Sequence, residues 1–581
     1  MNRLARFGWL IPAFVFVLHA LVFGGWIHDD AGISFAYAKN LAQGHGLVAQ
    51  PAAVPLEGFA NILWVALLAF FYLIHLFNVV WTPKILAVLF IAAAFAILSR
   101  ALGRVDPWGA AVALTGLTVA ALQPGFVIWS VSGLENPLTV LLACTLLAAC
   151  LRLFDYGRLH FKRGSREHEG ERIGEVLDHI LLGIGTALIA AVLALAWPDG
   201  LIYCLAFPLL ALIRLRSLAK DGHGLGPRAG AAPFNLSGDR ARAEHFRALR
   251  LGFAAYFLTF GALYGCSVLF RWLYFHDLYP NLAFAGRSAD FRTILSAVLL
   301  RTGMSSQAAG LFHGLGGEHG VWLLVALAFA AGYAWLSGRA RALHVVLGIF
   351  TLLSGLVYVL LPDADAAGFR YASAFFVFFY CLVMALARTL ADGFPLPAPI
   401  RKGIFTAVAV VCLAETAALA ARRSPEFARH PAVPLAKVAE HFGTTYNHFA
   451  DVLRIQSGSL MLPETGGTLL TSRMRVIGVG ALCDRDIARS VGLEQDELFD
   501  YVLEQARPTF IHLHDSWSEA AALEHDERFQ RDYLPLFDSV EPFEPDAGQA
   551  GDYVRKDAVI GRDPEMAVVR AELVAYYTHP Q

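Results

Sequence analysis

The chain has 581 residues, of which 57% are hydrophobic and 16% charged, with a mean hydropathy of +0.53 and a formal net charge of −2. Soluble proteins carry about 25% charged residues, so this composition excludes an ordinary soluble protein and indicates a polytopic membrane protein. The nearly neutral charge, with basic residues confined to loops, also excludes a nucleic-acid-binding groove.

The first predicted element is a membrane helix near residues 8–26, "GWLIPAFVFVLHALVFGGW". It follows a basic start and no small-residue cleavage site is clear, so we interpret it as a retained first helix rather than a removed signal peptide. Because cytoplasmic segments collect Lys and Arg, Arg3 and Arg6 should lie inside. The adjacent acids Asp29 and Asp30 then lie outside.

Ten more predicted spans follow from the rule that a spanning helix needs about 20 mostly apolar residues. They lie near 85–100, 108–123, 136–151, 180–196, 201–213, 251–270, 321–337, 343–361, 371–389 and 403–421. The basic loops 152–172 and 214–250 should be cytoplasmic. The run 61–80 would disturb this order if it spanned, so we predict an interfacial helix there. The total is about eleven spans.

The tail, residues 422–581, changes character and is predicted to lie outside. "RVIGVG" and "FIHLH" are typical of short strands, and "DELFDYVLEQARP" favours a helix. The predicted fold class is therefore a polytopic α-helical membrane protein with a C-terminal periplasmic α/β domain. The predicted domains are a membrane module at 1–421, with a first outer loop at 27–83, and the tail domain at 422–581.

On this topology the outer loops carry polar residues at the ends of separate spans, a pattern typical of a site assembled from several loops. The candidates are Asp29, Asp30, Lys39, Glu57, Glu135, Asp199, His276, Asp277, Asn281, Arg287 and Arg370.

Each candidate also has a structural alternative. Asp29 or Asp30 could cap the helix that continues through "AGISFAYAKNLAQ", and Glu135 or Asp199 could cap the helix that follows it. The cations could be solvated near lipid headgroups rather than bind phosphate. His276 beside Asp277 could be a base with its orienting acid, but adjacent side chains rarely face each other, which favours a surface histidine.

Several of these stretches resemble motifs of one family. "DDAGISFAYAKNLAQGHGLV" followed by "LEGFANILW" is similar to the pattern DDAyIsfRYArNLaeGhGLVfN…vEGyTnpLW of bacterial integral membrane glycosyltransferases of the GT-C superfamily, particularly terminal arabinofuranosyltransferases. "WSVSGLENPL", "WPDG", "FHDLYPNLAFAGR" and "GFRYASAFF" resemble later motifs, in the same order. The tail's "GGTLLTSRMRVIGVGALCDRDIAR" is similar to that family's C-terminal periplasmic domain.

The resemblance implies transfer of a sugar, for example a pentofuranose such as arabinose, from a polyprenyl-phosphate donor to a glycan or lipid-linked acceptor, with inversion. The enzyme would lie in the bacterial inner membrane with its site on the periplasmic side. Carried over by position, the essential acid is Asp29 or Asp30, Glu57 matches the EG pair, and the donor phosphate would meet Arg287 or Arg370. We expect Asp29 to be the base.

Two departures from the family pattern stand beside these motifs. Trp197 replaces the Arg of RPdG, and Gly32 replaces a bulkier residue next to the acids. A divalent cation at Asp29 or Asp30 is an open alternative, and oxygen ligands would favour Mg²⁺ or Mn²⁺. The competing function is a transporter or flippase of a lipid-linked sugar. Such a protein would be expected to hold acids midway through spans or to show two related halves, and neither is evident.

Overall fold

The computed structural model divides the chain into two compact units. The first comprises Met1–Gly25, Val80–Ser267 and Val298–Ala432, and the second comprises Trp26–Val79, Val268–Ala297 and Val433–Gln581. The structure describes residues 3–51, 53–159, 169–197, 200–219, 239–278, 280–281, 320–337, 341–360, 368–480, 482–490, 495–514, 523, 526–538 and 550–578. The domain boundary at 421/422 stays a prediction.

The first unit is helical throughout its described part. Its helices are Arg3–Phe7, Leu10–Ala20, Leu21–Phe23 (3-10), Trp81–Val105, Gly109–Leu122, Pro124–Ser130, Asn136–Leu159, Glu169–Ala196, Gly200–Tyr203, Ala206–Ala219, Asp239–Phe275 (which continues into the second unit), Gly320–Leu336, Ala342–Leu360, Arg370–Ala372 (3-10), Ser373–Gly393 and Ala398–Arg429. The Ser373–Gly393 helix is almost wholly buried and packs against several of the others, so it forms the centre of this unit.

Seven of the described helices are long and apolar enough to cross a membrane. They are Trp81–Val105, Asn136–Phe154, Gly174–Ala196, Glu244–Phe275, Ala342–Leu360, Arg370–Gly393 and Ala398–Arg429. An eighth is possible if Gly109–Leu122 and Pro124–Ser130, which meet at a 75° bend, count as one span. Each of these coincides with a predicted span. The count of eleven stays a prediction, since the predicted spans at 8–26, 201–213 and 321–337 form shorter helices.

The run at 61–80 contains one helix, Ile62–Leu73, of 12 residues. At 1.5 Å per residue it is about 18 Å long, too short for a hydrocarbon core of about 30 Å. Its length therefore agrees with the interfacial interpretation.

The second unit combines two helices of the first predicted outer loop, Asp29–Ala42 and Ile62–Leu73, with the tail. The tail helices are Leu435–Val438, Ala439–Thr444 (π), Thr445–Val452, Gly466–Thr471, Arg485–Ser490, Gln495–Asp500, Tyr501–Ala506 (π), Glu527–Asp532, Lys556–Val559 (3-10) and Asp563–Thr578. The strands are β1 (Ser459–Leu462), β2 (Arg475–Gly478), β3 (Phe510–His514), β4 (Tyr533–Asp538) and β5 (Ala550–Arg555).

The tail contains a five-stranded sheet in the order β2-β1-β3-β5-β4. Strand β1 is parallel to both β2 and β3, whereas β5 is antiparallel to β3 and to β4. Leu460 pairs with Val476 on one side and Phe510 on the other. The predicted strands at "RVIGVG" and "FIHLH" are confirmed as β2 and β3, and the predicted helix at "DELFDYVLEQARP" is confirmed as Gln495–Asp500 with its π-helical continuation.

Candidate functional site

The acid pair begins the Asp29–Ala42 helix. His28 is its N-cap residue and accepts a hydrogen bond at Nδ1 from the Asp30 backbone N–H (3.2 Å). Both acids lie in the first turn, where carboxylates interact favourably with the helix dipole. The segment before the helix is held to the tail, because the Asp29 N–H donates to Val433 O (3.0 Å) and the Leu435 N–H donates to Ile27 O (2.9 Å).

The two acids have different surroundings. Asp29 is 3% exposed, and its Oδ2 and Oδ1 accept hydrogen bonds from the backbone N–H groups of Gly466 (3.0 Å) and Gly467 (2.7 Å). Burial raises the pKa of Asp29 to about 7, against the opposing effect of these two N–H donors. Asp29 is therefore an anchor between the helix and the tail.

Asp30 is the accessible member of the pair. Its side chain is 36% exposed, and its Oδ2 lies 4.0 Å from His28 Nδ1. Adjacent residues on a helix project about 100° apart, which allows one carboxylate to be buried while the next remains open to an approaching molecule. The interpretation of Asp29 or Asp30 as the cap is wrong, because His28 is the N-cap residue and both acids lie inside the first turn. The catalytic interpretation of the acids stays a prediction.

A close approach of backbones explains Gly32. A Cβ at Gly32 would lie 2.4 Å from the carbonyl carbon of Gly466, and a Cβ at Gly466 would lie 1.8 Å from the backbone oxygen of Asp29. Both distances are far below contact, so only glycine fits at either position. The departure from the family pattern at Gly32 is what allows the Gly466–Gly467 segment to reach the Asp29 carboxylate.

We expect Gly466→Ala to destabilise the protein by roughly 1–3 kcal/mol or more, because the new methyl group would overlap backbone atoms that cannot rotate away. Gly403→Ala is the matched control, since a Cβ there meets nothing within 4 Å. Alanine in a helix should leave stability unchanged or raise it by about 0.5–1 kcal/mol. Thermal unfolding of the detergent-solubilised variants checks this, and equal losses at both positions would contradict it.

The raised pKa of Asp29 predicts a pH-dependent term in stability. The folded chain keeps the proton up to about pH 7, whereas an ordinary Asp releases it near 3.8. The stabilisation from this group is therefore complete below about pH 4 and declines as the pH rises to 7. Because the amide in Asp29→Asn does not titrate, the Tm difference, wild type minus variant, should shrink from pH 5 to pH 8. A constant difference would contradict the assignment.

Glu57 forms a buried ion pair. Its carboxylate accepts two hydrogen bonds from the guanidinium of Arg271, one from Nε and one from Nη2 at 2.9 Å. The side chains are 5% and 15% exposed, respectively. The sequence assigned Glu57 to substrate binding, but in this structure the carboxylate is engaged by Arg271.

Asp277 and Asn281 hold a segment of the tail. Asp277 pairs with Arg485 (3.2 Å) and Arg489 (3.0 Å). The Asn281 amide Nδ2 donates to the backbone oxygens of Leu482 (3.1 Å) and Asp484 (3.0 Å). These contacts therefore hold Asp277 and Asn281 to this segment of the tail.

The remaining predicted residues of the second unit that the structure describes are Lys39 and His276. Lys39 lies on the same helix ten residues after Asp29, about 15 Å along the axis, and is partly buried. His276 is exposed, with φ at +56°. Asp199 and Arg287 lie outside the described residues, so their roles stay predictions.

A pocket in the first unit contains two predicted residues, Glu135 and Arg370, together with Asn136, Trp197 and Tyr371. The Arg370 guanidinium lies 5.6 Å from the ring centroid of Tyr371 and 5.6 Å from that of Trp129. Such stacking holds the cation in place. Trp197, one of the two departures from the resembled motif pattern, lies in this same pocket.

The backbone around Arg370 is held by neighbouring polar groups. Asn136 Nδ2 donates to Arg370 O (2.7 Å) and to Ser373 Oγ (3.2 Å). Trp129 Nε1 donates to Gly368 O at 2.5 Å, and Phe369 adopts a left-handed φ of +65°. A non-glycine residue in that region is unusual and persists only where its surroundings fix it, so the turn that presents Arg370 is well determined.

Three features of these sites were not predicted from the sequence. The Gly466–Gly467 pair carries no local signal of a carboxylate partner. Arg271 and Lys84 could have been noticed in the sequence, because each is a charged residue inside an apolar run. A charge in such a run indicates that the side chain has a specific partner. Lys84 is buried and its Nζ donates to Val131 O (3.2 Å), next to the "SGLE" motif.

With this geometry established, comparison with known proteins shows the class of fold. No protein-family model matches the chain, and no curated protein matches it in sequence. Among solved structures, the apo form of the Archaeoglobus fulgidus oligosaccharyltransferase superposes with a TM-score of 0.50 at 11% identity, covering 92% of this chain and 72% of that one. Archaeal oligosaccharyltransferase AglB from the same organism, in complex with an inhibitory peptide and a dolichol-phosphate, gives 0.47 at 12% identity over 90% and 73%.

Oligosaccharyltransferase AglB is a GT-C superfamily glycosyltransferase. The apo comparison therefore confirms the GT-C fold that the sequence motifs predict. At 11% identity it shows the fold alone, so the resemblance to arabinofuranosyltransferases stays a prediction.

Proposed function

We propose that the chain is a GT-C glycosyltransferase that moves a sugar from a polyprenyl-phosphate donor to a hydroxyl acceptor. The observation that supports the proposal most is that, within a GT-C fold, Asp29 is buried whereas its neighbour Asp30 is partly exposed. One carboxylate, Asp29, is fixed by two backbone N–H groups. The side chain of its neighbour Asp30 is 36% exposed.

In the proposed reaction, Asp30 accepts the proton of the acceptor hydroxyl as that oxygen attacks the anomeric carbon. The bond between this carbon and the phosphate oxygen breaks through an oxocarbenium-like state, and polyprenyl phosphate leaves with the bonding electrons. A single attack inverts the anomeric centre. In this proposal Asp29 holds the start of the helix in place, and Asp30 is the base in place of the Asp29 expected from the sequence.

A binding site for the phosphate group of a polyprenyl phosphate is proposed at Arg370, within the first unit. Charge-assisted contacts from a guanidinium to phosphate are strong and bidentate. The ring contacts of Arg370 and the hydrogen bond from Asn136 to its backbone support this role.

The finer assignments are also proposals. The motif resemblance favours a pentofuranose donor such as arabinose, a periplasmic glycan or lipid-linked acceptor, and a bacterial inner-membrane location with the acids on the periplasmic side. A Mg²⁺ or Mn²⁺ ion at the acid pair stays a prediction. Among the described residues, neither Asp29 nor Asp30 belongs to a group of three metal-ligand side chains, so no step is assigned to a metal.

The test is sugar transfer by the purified full-length chain from a panel of polyprenyl-phosphate sugars to an envelope glycan extract. Consumption of one donor with formation of a glycosylated product supports the transferase. Movement of an intact donor across vesicle membranes, with no product in any extract, would instead establish the transporter.

We expect Arg370→Gln to weaken donor binding about 10- to 100-fold, because hydrogen bonds to charged groups contribute about 1.5–3 kcal/mol. Arg401→Gln is the control, since Arg401 pairs with Asp392 in the same unit and lies outside the Arg370 pocket. Binding of a fluorescent polyprenyl phosphate is the measurement. Equal affinity for wild type and Arg370→Gln would remove Arg370 from the donor site.

A further inference from the structure

A second group of ionisable side chains lies at the carboxyl ends of two neighbouring parallel strands. Glu464 follows β1 by two residues, and His512 and His514 belong to β3. Alternate residues of a strand point to the same face, so both imidazoles project to one side of the sheet. In open α/β sheets this edge is where ligands bind.

The three side chains are close enough to share one ion. One donor atom of each lies within 4.8 Å of the others, and Glu464 Oε1 is 2.7 Å from His514 Nε2. Among the described residues, the buried atoms Glu464 Oε2 and His512 Nε2 have no hydrogen-bond partner. His512 is only 2% exposed. A buried polar atom without a partner costs free energy of folding. A ligand bound to both atoms would remove that cost.

The surroundings of His512 orient its imidazole so that Nε2 can bind a ligand. Its Nδ1 is 2.7 Å from Asp552 Oδ1, an arrangement in which Nδ1 carries the proton and Nε2 keeps its lone pair. Asp552 also accepts hydrogen bonds from the hydroxyls of Tyr446 and Tyr577, so it is held as an ionised acceptor. A carboxylate that orients a histidine in this way is the usual second layer of a protein zinc site.

We propose that Glu464, His512 and His514 form a binding site for a divalent transition metal ion, with Zn²⁺ as the favoured ion. Two imidazole nitrogens and one carboxylate oxygen suit zinc better than Mg²⁺ or Ca²⁺, which prefer all-oxygen sites. On binding, the Glu464–His514 hydrogen bond is exchanged for two bonds to the metal. A fourth position is left for water or an oxygen of another molecule.

This site is separate from the acid pair but shares a segment with it. Glu464 is two residues before Gly466, whose N–H donates to Asp29 Oδ2. A metal that fixes Glu464 relative to β3 therefore also fixes the segment that anchors Asp29. The site is thus a positioning element of the second unit, and its existence does not depend on the proposed transferase activity.

The experiment measures metal bound to the full-length protein, purified without a polyhistidine tag and dialysed against equal Zn²⁺ and Mg²⁺. We expect about one Zn²⁺ per chain, bound in the presence of the equal Mg²⁺ concentration. Glu464→Gln and His514→Gln should lose the Zn²⁺. His448→Gln should retain it, because His448 is an exposed histidine that pairs with a different acid, Glu572.

Two further measurements do not depend on a ligand variant folding. Wild-type protein titrated with Co²⁺ should develop the visible absorption of a four-coordinate nitrogen and oxygen site, and Zn²⁺ should displace it. Asp552→Asn keeps all three ligands and should weaken Zn²⁺ binding about 10- to 100-fold. No Zn²⁺ uptake by the wild type, or equal uptake by wild type and both ligand variants, would overturn the proposal.

Discussion

Asp30→Asn is expected to lower kcat for sugar transfer by about 10²- to 10⁴-fold, the contribution typical of a general base, while leaving thermal stability unchanged. The Asp30 side chain is 36% exposed. The Asp30 backbone N–H donates to the His28 cap, and the substitution keeps this hydrogen bond. The variant should therefore fold and bind donor, and lose only the chemical step.

Asp29→Asn should behave differently. An amide offers one oxygen where the carboxylate offers two, so one of the N–H groups of Gly466 and Gly467 would face an NH₂ group. Leaving a buried donor without its acceptor costs about 1–3 kcal/mol, so this variant should unfold at a lower temperature. Any loss of activity should follow the loss of folded protein.

Both variants are compared with Asp451→Asn, which replaces an exposed acid whose side chain pairs with Arg473. That control should match wild type in kcat and in Tm. Initial rates at saturating donor and thermal unfolding scans of the same preparations separate chemistry from folding. If Asp30→Asn transfers sugar at the wild-type rate, and Asp29→Asn loses kcat with an unchanged Tm, then Asp29 is the base and the proposed division of roles is wrong.

Local features of this chain could be predicted from the sequence because they depend on periodicity and composition. The strands at "RVIGVG" and "FIHLH" have the apolar β-branched character of a buried strand, and both are present. The candidate spans were evident because each is a run of about 20 apolar residues. The start of the Asp29–Ala42 helix was equally evident from its two acids.

The contacts that define the acid pair could not be predicted in this way. Asp29 is 437 residues from Gly466, and Glu57 is 214 residues from Arg271. Neither pairing leaves a periodic signal, since each depends on how distant segments fold together. What the sequence did show was an unexplained glycine at position 32. A missing side chain beside two acids indicates that another backbone comes close, although it does not say which one.

The buried pair Glu57–Arg271 gives the largest expected effect on stability. Arg271→Met should lower the free energy of unfolding by about 3–5 kcal/mol, because it leaves the Glu57 carboxylate buried without its partner. Replacing both partners, as Glu57→Leu with Arg271→Met, should restore most of that loss, since an apolar pair of similar volume avoids the cost of burying two charges. Chemical denaturation of the detergent-solubilised variants measures both values.

The exposed pair Asp451–Arg473 is the matched control, with side chains 64% and 62% exposed. Arg473→Met should cost less than about 1 kcal/mol, as is usual for surface ion pairs. The same variants distinguish a structural Glu57 from the substrate-binding Glu57 that the sequence predicted. A structural role requires that the doubly substituted protein regains both stability and donor affinity. If it regains stability while donor affinity remains low, the carboxylate contacts the donor, and Arg271 serves to orient it.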